Sequence, residues 1–335
     1  MAADLAPPDF AAVRAASARI APYVHRTPVL SSRSLDALSG ARLYFKCENF
    51  QKAGAFKARG AHNAVFALPE RPAGAGVVTH SSGNHGAALA LAARRRGIPA
   101  HIVVPRDALA AKVESIRRYG GRVVFCAATQ ADRAAVAARV QAETGAHLVH
   151  PFDNPWVIAG QGTAALELCT DFPGLDDVVA PVGGGGLIGG TALAAQGLNP
   201  RIRVTGAEPA AADDAARSLA AGRLVRQAGS FTIADGLRAN LAELTFALLR
   251  ARVDSVLTVP EGQIVQAMRL SWEMLKILVE PSSAVALAAV LANRERFAGR
   301  RVGIIVTGGN VDLDHLPWAG AAGGSAARVL PEEPR

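Results

Sequence analysis

Four consecutive glycines, Gly183 to Gly186, sit between the β-rich segment DVVAPV and the helix-like segment LIGGTALAAQ. A chain gives up side chains in a row only where its backbone must turn tightly or come close to something. A glycine turn from strand to helix offers free amides and the positive end of a helix dipole, so it predicts a phosphate site in an α/β fold. Packing alone accounts for one or two such glycines.

The surrounding pattern agrees. GVVTH reads as a buried strand, and Gly86 to Arg96 as a helix closed by Gly97. HIVV, a helix around Lys112 to Tyr119, VVFCA, a helix over 131–143 and AHLV follow. A second series has a helix over 156–168, DVVAPV, the glycine loop, a helix over 187–196, RVTGAE, DSVLTV and VGIIVT, with helices over 261–278 and 282–292 between the last two strands. Strands alternating with helices across short connections imply parallel-rich sheets covered by helices. The expected layout is a small lobe at 71–152 set into a large catalytic lobe made of 1–70 and 153–318, then a loose tail at 319–335.

Other classes are disfavoured. The run Val178 to Pro200 is uncharged, but Pro181 and its glycines spoil it as a membrane span. MAADLAPPDF has no apolar core, so no signal peptide is expected. The net charge of +8 comes from scattered arginines, and the tight run Arg94–Arg96 ends a helix, where cations suit the dipole, so no nucleic-acid partner is expected. Cys47, Cys126 and Cys169 are odd in number and lack CxxC spacing, which suggests reduced thiols in a cytoplasmic protein without structural zinc.

Two readings compete for the loop. Gly184, Gly186 and Gly189 satisfy GxGxxG, and Glu208 lies where a ribose-binding acid belongs, so a nucleotide-binding oxidoreductase is one. The other is an aldehyde cofactor, which needs a lysine. Of five lysines, Lys57 in AGAFKARGAHNAV stands among small residues beside Phe56, while Lys46, Lys52, Lys112 and Lys276 read as surface groups. SSGNHG, Ser81 to Gly86, crowds hydroxyl, amide and imidazole groups into one turn before a helix, more than capping needs.

AFKARGA, SSGNHG, PVGGGGLIGG, GAEPAAADD, TIADG, VEPSS and TGGNVD together resemble the serine/threonine dehydratase and serine racemase family, over about residues 10 to 315. The resemblance implies a two-lobed, tryptophan-synthase-β-like fold of type II that binds pyridoxal 5′-phosphate, and a homodimer. It implies that Lys57 is the Schiff-base lysine with Phe56 beside the ring. Ser82 would lie on the opposite face, and Ser81, Asn84 and His85 would grip the substrate carboxylate. Gly183, Gly184, Gly185 and Gly186 would hold the phosphate, Thr307 would face the pyridine nitrogen, and Glu280 would lie near the ring, as would Asn84. Glu208, the Ala212 carbonyl and Asp214 would bind Mg²⁺, Mn²⁺ or Ca²⁺. Arg133 matches an arginine that could pair with a second substrate carboxylate, which keeps 3-hydroxyaspartate open. The expected activity is loss of the β-hydroxyl from L-serine or L-threonine to give a 2-oxo acid and ammonia, with racemisation at the same site as the alternative. Ala55, Ala87 and Thr307 depart from the commoner serine, glutamine, and serine or cysteine, and leave the preferred β-hydroxy amino acid open.

Overall fold

The computed structural model describes residues 6–70, 74–227, 229 and 231–318. The expected tail at 319–335 lies outside the described residues. Ten strands form two sheets: β1 (Val29–Leu30), β2 (Arg42–Cys47), β3 (Val77–His80), β4 (Ala100–Pro105), β5 (Arg122–Cys126), β6 (His147–Leu148), β7 (Asp177–Pro181), β8 (Arg203–Pro209), β9 (Ser255–Val259) and β10 (Arg301–Val306).

One sheet runs β1-β2-β10-β7-β8-β9, parallel except for the β1–β2 edge pair. The other runs β5-β4-β3-β6 and is parallel throughout. The central strand β7 is buried along its whole length, as a strand covered by helices on both faces must be. The uncharged run that follows is a turn and the 13-residue helix Gly186–Leu198. Among the described residues no helix is long and apolar enough to cross a membrane.

The helices Lys57–Ala67, Pro155–Asp171 and Gly186–Leu198 pack in succession. Their close approach requires glycine: a Cβ on Gly160 would lie 2.7 Å from Gly60 Cα, and one on Gly190 would lie 2.3 Å from Ile158 O. The arginines closing the Asn84–Arg96 helix do more than suit its dipole. Arg96 donates to Leu68 O at 2.6 Å, and Arg94 to Arg118 O at 3.3 Å.

Two expectations need correction. The helix from Glu261 stops at Leu270, and Ser271–Leu275 forms a π-helical turn that ends at Lys276 with φ of 59°. A left-handed residue cannot continue a right-handed helix, so the chain leaves there and runs without regular structure to Glu280. Lys46 is also no surface group. It points from β2 into the interior, is fully buried, and meets Glu167 Oε2 at 2.6 Å.

Candidate active site

A cavity of about 630 Å³ opens beyond the carboxyl ends of β3, β7 and β10, where parallel sheets place their ligand crevices. Three strand ends deliver the loops: β3 the turn Ser81–Asn84, β7 the glycines, and β10 Thr307. Lys57 begins its helix at the floor, and Glu280 precedes the helix Pro281–Ala292. Phe56, Lys57, Ser81, Ser82, Asn84, His85, Arg133, Gly183 to Gly186, Glu280 and Thr307 all line this one cavity. Glu208, Ala212 and Asp214 do not.

The four glycines each have a steric reason, which corrects the expectation that packing explains only one or two. A Cβ on Gly184 would lie 2.3 Å from Phe152 Cγ, and one on Gly186 3.1 Å from the same residue's Cα. Gly183 faces Leu237 Cα at 3.0 Å, and Gly185 has φ of +86°. The result is bare backbone along the cavity wall, leading into a helix whose first amides have no carbonyl one turn back. Gly189, which donates to Gly185 O at 3.0 Å, is the first amide to find one.

Lys57 Nζ donates to Pro151 O at 2.8 Å and lies 5.1 Å from the centre of the Phe56 ring. Burial pulls its amine down to about 8, with the Glu280 charge opposing. Burial likewise lifts Glu280 to about 7, against the amide of Asn84, which donates to both carboxylate oxygens at 3.0 and 3.1 Å. Asn310 donates to Asn84 Oδ1 at 2.8 Å and fixes that amide's orientation. His85 is held well below its ordinary value by burial and by Lys57. Its Nε2 lies 3.3 Å from Val149 O, which can only accept, so Nδ1 is the bare nitrogen, buried and without a partner.

Arg133 brings a half-buried guanidinium to the wall that carries His80, and its Nε is buried without a hydrogen-bond partner. Several residues in or behind the cavity wall went unread in the sequence. Asn310, which lines the cavity, lies within TGGNVD, and Ser283, which backs Thr307, lies within VEPSS, so the segments were legible but these members were not. Lys112 and Asp235 pair across the mouth, from elements distant in sequence, and no local signal joins them.

The divalent-cation expectation gains less. Among the described residues no group of three or more His, Cys, Asp or Glu side chains gathers as a metal site would. Glu208 accepts from the amides of Ala215 and Ala216, and Asp214 Oδ2 from Leu241. Burial raises Glu208 to about 8 and Asp214 to about 6. One oxygen, Asp214 Oδ1, is buried with no partner, which a cation beside it would satisfy.

A half-buried lysine amine lowered to about 8 shares one cavity with a bare glycine backbone at a helix start, an arrangement an aldehyde cofactor requires. The chain belongs to the pyridoxal-phosphate dependent enzyme family, whose model matches residues 20–308, and its fold is the type II fold of that class. It is 54% identical to a serine racemase of Oryza sativa subsp. indica, over 92% of each chain. It is 52% identical to a β-hydroxyaspartate dehydratase of Paracoccus denitrificans, over 93% of this chain and 99% of that protein. The structure of maize serine racemase superposes with a TM-score of 0.90 at 53% identity, covering 92% of this chain and 95% of that one. The oxidoreductase alternative rested on the glycine loop and Glu208; Glu208 does not line the cavity, and the cofactor of the matching family is pyridoxal phosphate.

Proposed function

We propose that this protein is a pyridoxal-phosphate-dependent ammonia-lyase for 3-hydroxyaspartate, converting it to oxaloacetate and ammonia. The observation that carries this substrate is Arg133, whose buried, unpartnered Nε lies on the cavity wall. A guanidinium so placed matches a second carboxylate better than a methyl or a hydrogen. The 52% identity to a β-hydroxyaspartate dehydratase supports the same reading. The expected L-serine and L-threonine activity is the second reading. Within that reading Ser82, which shares the cavity with Lys57, favours racemisation of L-serine, because its hydroxyl can donate a proton to the α-carbon after the amine has removed one.

Pyridoxal phosphate, when bound, supplies the aldehyde that captures the substrate amine and a ring that withdraws charge from the α-carbon. The amides of Gly183 to Gly186 would hold its phosphate. Lys57 Nζ, kept neutral over more of the pH range by its burial, takes the α-proton. Ser81, Asn84 and His85, at the start of the Asn84–Arg96 helix, bind the α-carboxylate, and Arg133 binds the β-carboxylate. Glu280 fixes Asn84; Phe56 would pack beside the cofactor ring, and the neutral Thr307 hydroxyl would meet its ring nitrogen. Loss of the β-hydroxyl and hydrolysis of the resulting enamine give the oxo acid.

A divalent cation on Glu208, Asp214 and the Ala212 carbonyl is part of the proposal, supported by the orphan Asp214 oxygen. It would have a structural role, since none of the three lines the cavity. Magnesium or calcium should raise the melting temperature of the wild type and leave Asp214→Asn unmoved. A homodimer in the cytoplasm completes the reading, and three buried free cysteines suit that compartment.

The test is kinetic. The cofactor-loaded wild type is compared with Arg133→Met on 3-hydroxyaspartate and L-serine. We expect kcat/KM for 3-hydroxyaspartate to fall about 100-fold, mainly through KM, with L-serine changed less than about threefold. A wild type that ignores 3-hydroxyaspartate sinks this substrate. A protein that shows no visible cofactor band after reconstitution sinks the mechanism.

A further inference from the structure

Ser283 occupies the first turn of the Pro281–Ala292 helix and is 3% exposed. Its hydroxyl oxygen lies 2.9 Å from Thr307 Oγ1, 2.7 Å from Gly308 N and 2.9 Å from Gly308 O. A serine hydroxyl has one proton and two lone pairs. The Gly308 amide can only donate, so it fills one lone pair. The Gly308 carbonyl can only accept. The single Ser283 proton therefore goes either to that carbonyl or to Thr307, and the choice dictates what Thr307 can do.

When Ser283 donates to Gly308 O, Thr307 donates to Ser283 and turns only lone pairs to the cavity. When Ser283 donates to Thr307, the Thr307 proton is free to point into the cavity. Gly308 O then keeps the Glu280 amide as its donor at 3.0 Å. Neither arrangement strands a buried group within the wall, so neither is strongly penalised.

We infer that Ser283 is a positioning residue that lets Thr307 present either a donor or an acceptor to the cavity, so a ring nitrogen opposite Thr307 meets a hydrogen bond in both its protonation states. This rests on the pyridoxal-phosphate reading above and on Thr307 facing that nitrogen. Without the Ser283 hydroxyl, an accepting Thr307 has no partner in the wall for its own proton. The protonated nitrogen is then disfavoured by about tenfold, which is about one pH unit in its midpoint. A protonated nitrogen draws charge from the substrate's α-carbon more strongly. The charge there lives longer, and proton return gains on loss of the β-hydroxyl. Ser283 thus biases the site toward racemisation relative to elimination.

The experiment loads the protein with pyridoxal phosphate carrying ¹⁵N in the ring and follows the bound nitrogen's chemical shift against pH. Wild type, Ser283→Ala, Thr307→Val and the double variant form a cycle that isolates the pairwise contribution. Ser283→Ala should lower the protonation midpoint by about one unit in the wild-type background and leave it unmoved beside Thr307→Val. The racemisation-to-elimination ratio on L-serine should fall with it, by about tenfold at most. Coincident midpoints for wild type and Ser283→Ala overturn the inference. So does an equal shift in the Thr307→Val background, because the effect then runs through the Gly308 backbone. So does a nitrogen that stays unprotonated in the wild type wherever the protein is folded. A wild type with no bound ¹⁵N signal fails earlier, and removes the cofactor reading and this inference together.

Discussion

Lys57 and Arg59 are two residues apart on one helix, the first half-buried and the second fully buried, and they enter opposite kinds of surroundings. Arg59 turns into a closed ionic cluster. It donates to both oxygens of Glu48, at 2.7 and 2.8 Å, and to both oxygens of Glu167, at 2.7 and 2.9 Å. Lys46 adds to Glu167 at 2.6 Å and to Thr27 O at 2.7 Å, and Thr27 Oγ1 donates to Glu48 at 2.6 Å. Two cations face two acids there, and their polar atoms find partners among them. Lys57 turns into the cavity, donates to one carbonyl and touches no acid, while His85 nearby keeps a bare Nδ1. Burial is common to both clusters, but only the second leaves it uncompensated. An incompletely paired buried group is held ready for a ligand, whereas a fully paired one holds the backbone in place.

The largest effect should come from breaking the closed cluster. Arg59→Met leaves two buried carboxylates short of partners, which should destabilise the apoprotein by about 3–5 kcal/mol in urea unfolding. A loss below about 1 kcal/mol would show that Glu48 and Glu167 relax or protonate without difficulty. Lys57→Met should do the reverse, removing a poorly solvated amine while leaving stability equal or slightly higher. Turnover should fall by about a thousandfold or more, and the visible cofactor band should disappear. If the two variants lose stability alike, the distinction between the clusters fails.

Proton linkage sharpens the contrast. The Glu280 carboxyl is raised from its ordinary 4.5 to about 7, so the folded apoprotein holds this proton after the unfolded chain has released it. Its contribution to stability is full below 4.5 and is lost as the pH rises through about 7. Glu167, lowered by its ion pairs with Arg59 and Lys46 against the cost of burial, runs the other way: its contribution is present above the ordinary value and lost on acidification. Relative to Glu280→Gln, the wild-type apoprotein should therefore lose about 2–3 kcal/mol between roughly pH 4.5 and 7. A flat difference would mean that the Asn84 amide and the Lys112 charge nearby offset the burial.

Fold and site were legible in the sequence to different depths. The alternation from Gly76 onward gave eight of the ten strands in outline, because most of those strands carry short runs of Val, Ile and Leu between helical segments. β2 escaped, since RLYFKC carries charges at both ends and its lysine points inward to a partner 121 residues away. The π-helical turn at Ser271 also escaped, because SWEMLK has ordinary helical composition. In the site, glycine, lysine and SSGNHG announce themselves by composition. Ser283 and the Lys112–Asp235 pair do not, because their roles depend on what the fold sets opposite them.

That last pair completes the comparison from the other extreme. Lys112 and Asp235 form an ion pair across the mouth of the cavity, but their side chains keep 34% and 43% of their exposure. Water screens a pair this open, and two long side chains lose freedom to hold it. Lys112→Met should therefore change stability by no more than about 1 kcal/mol, and less in high salt. A shift of several kcal/mol would mean that the bridge ties the two sheets together, and that charge at the mouth counts as heavily as charge in the interior. A small shift would mean that connection to the surrounding solvent, more than the presence of a partner, decides what an ion pair contributes in this fold.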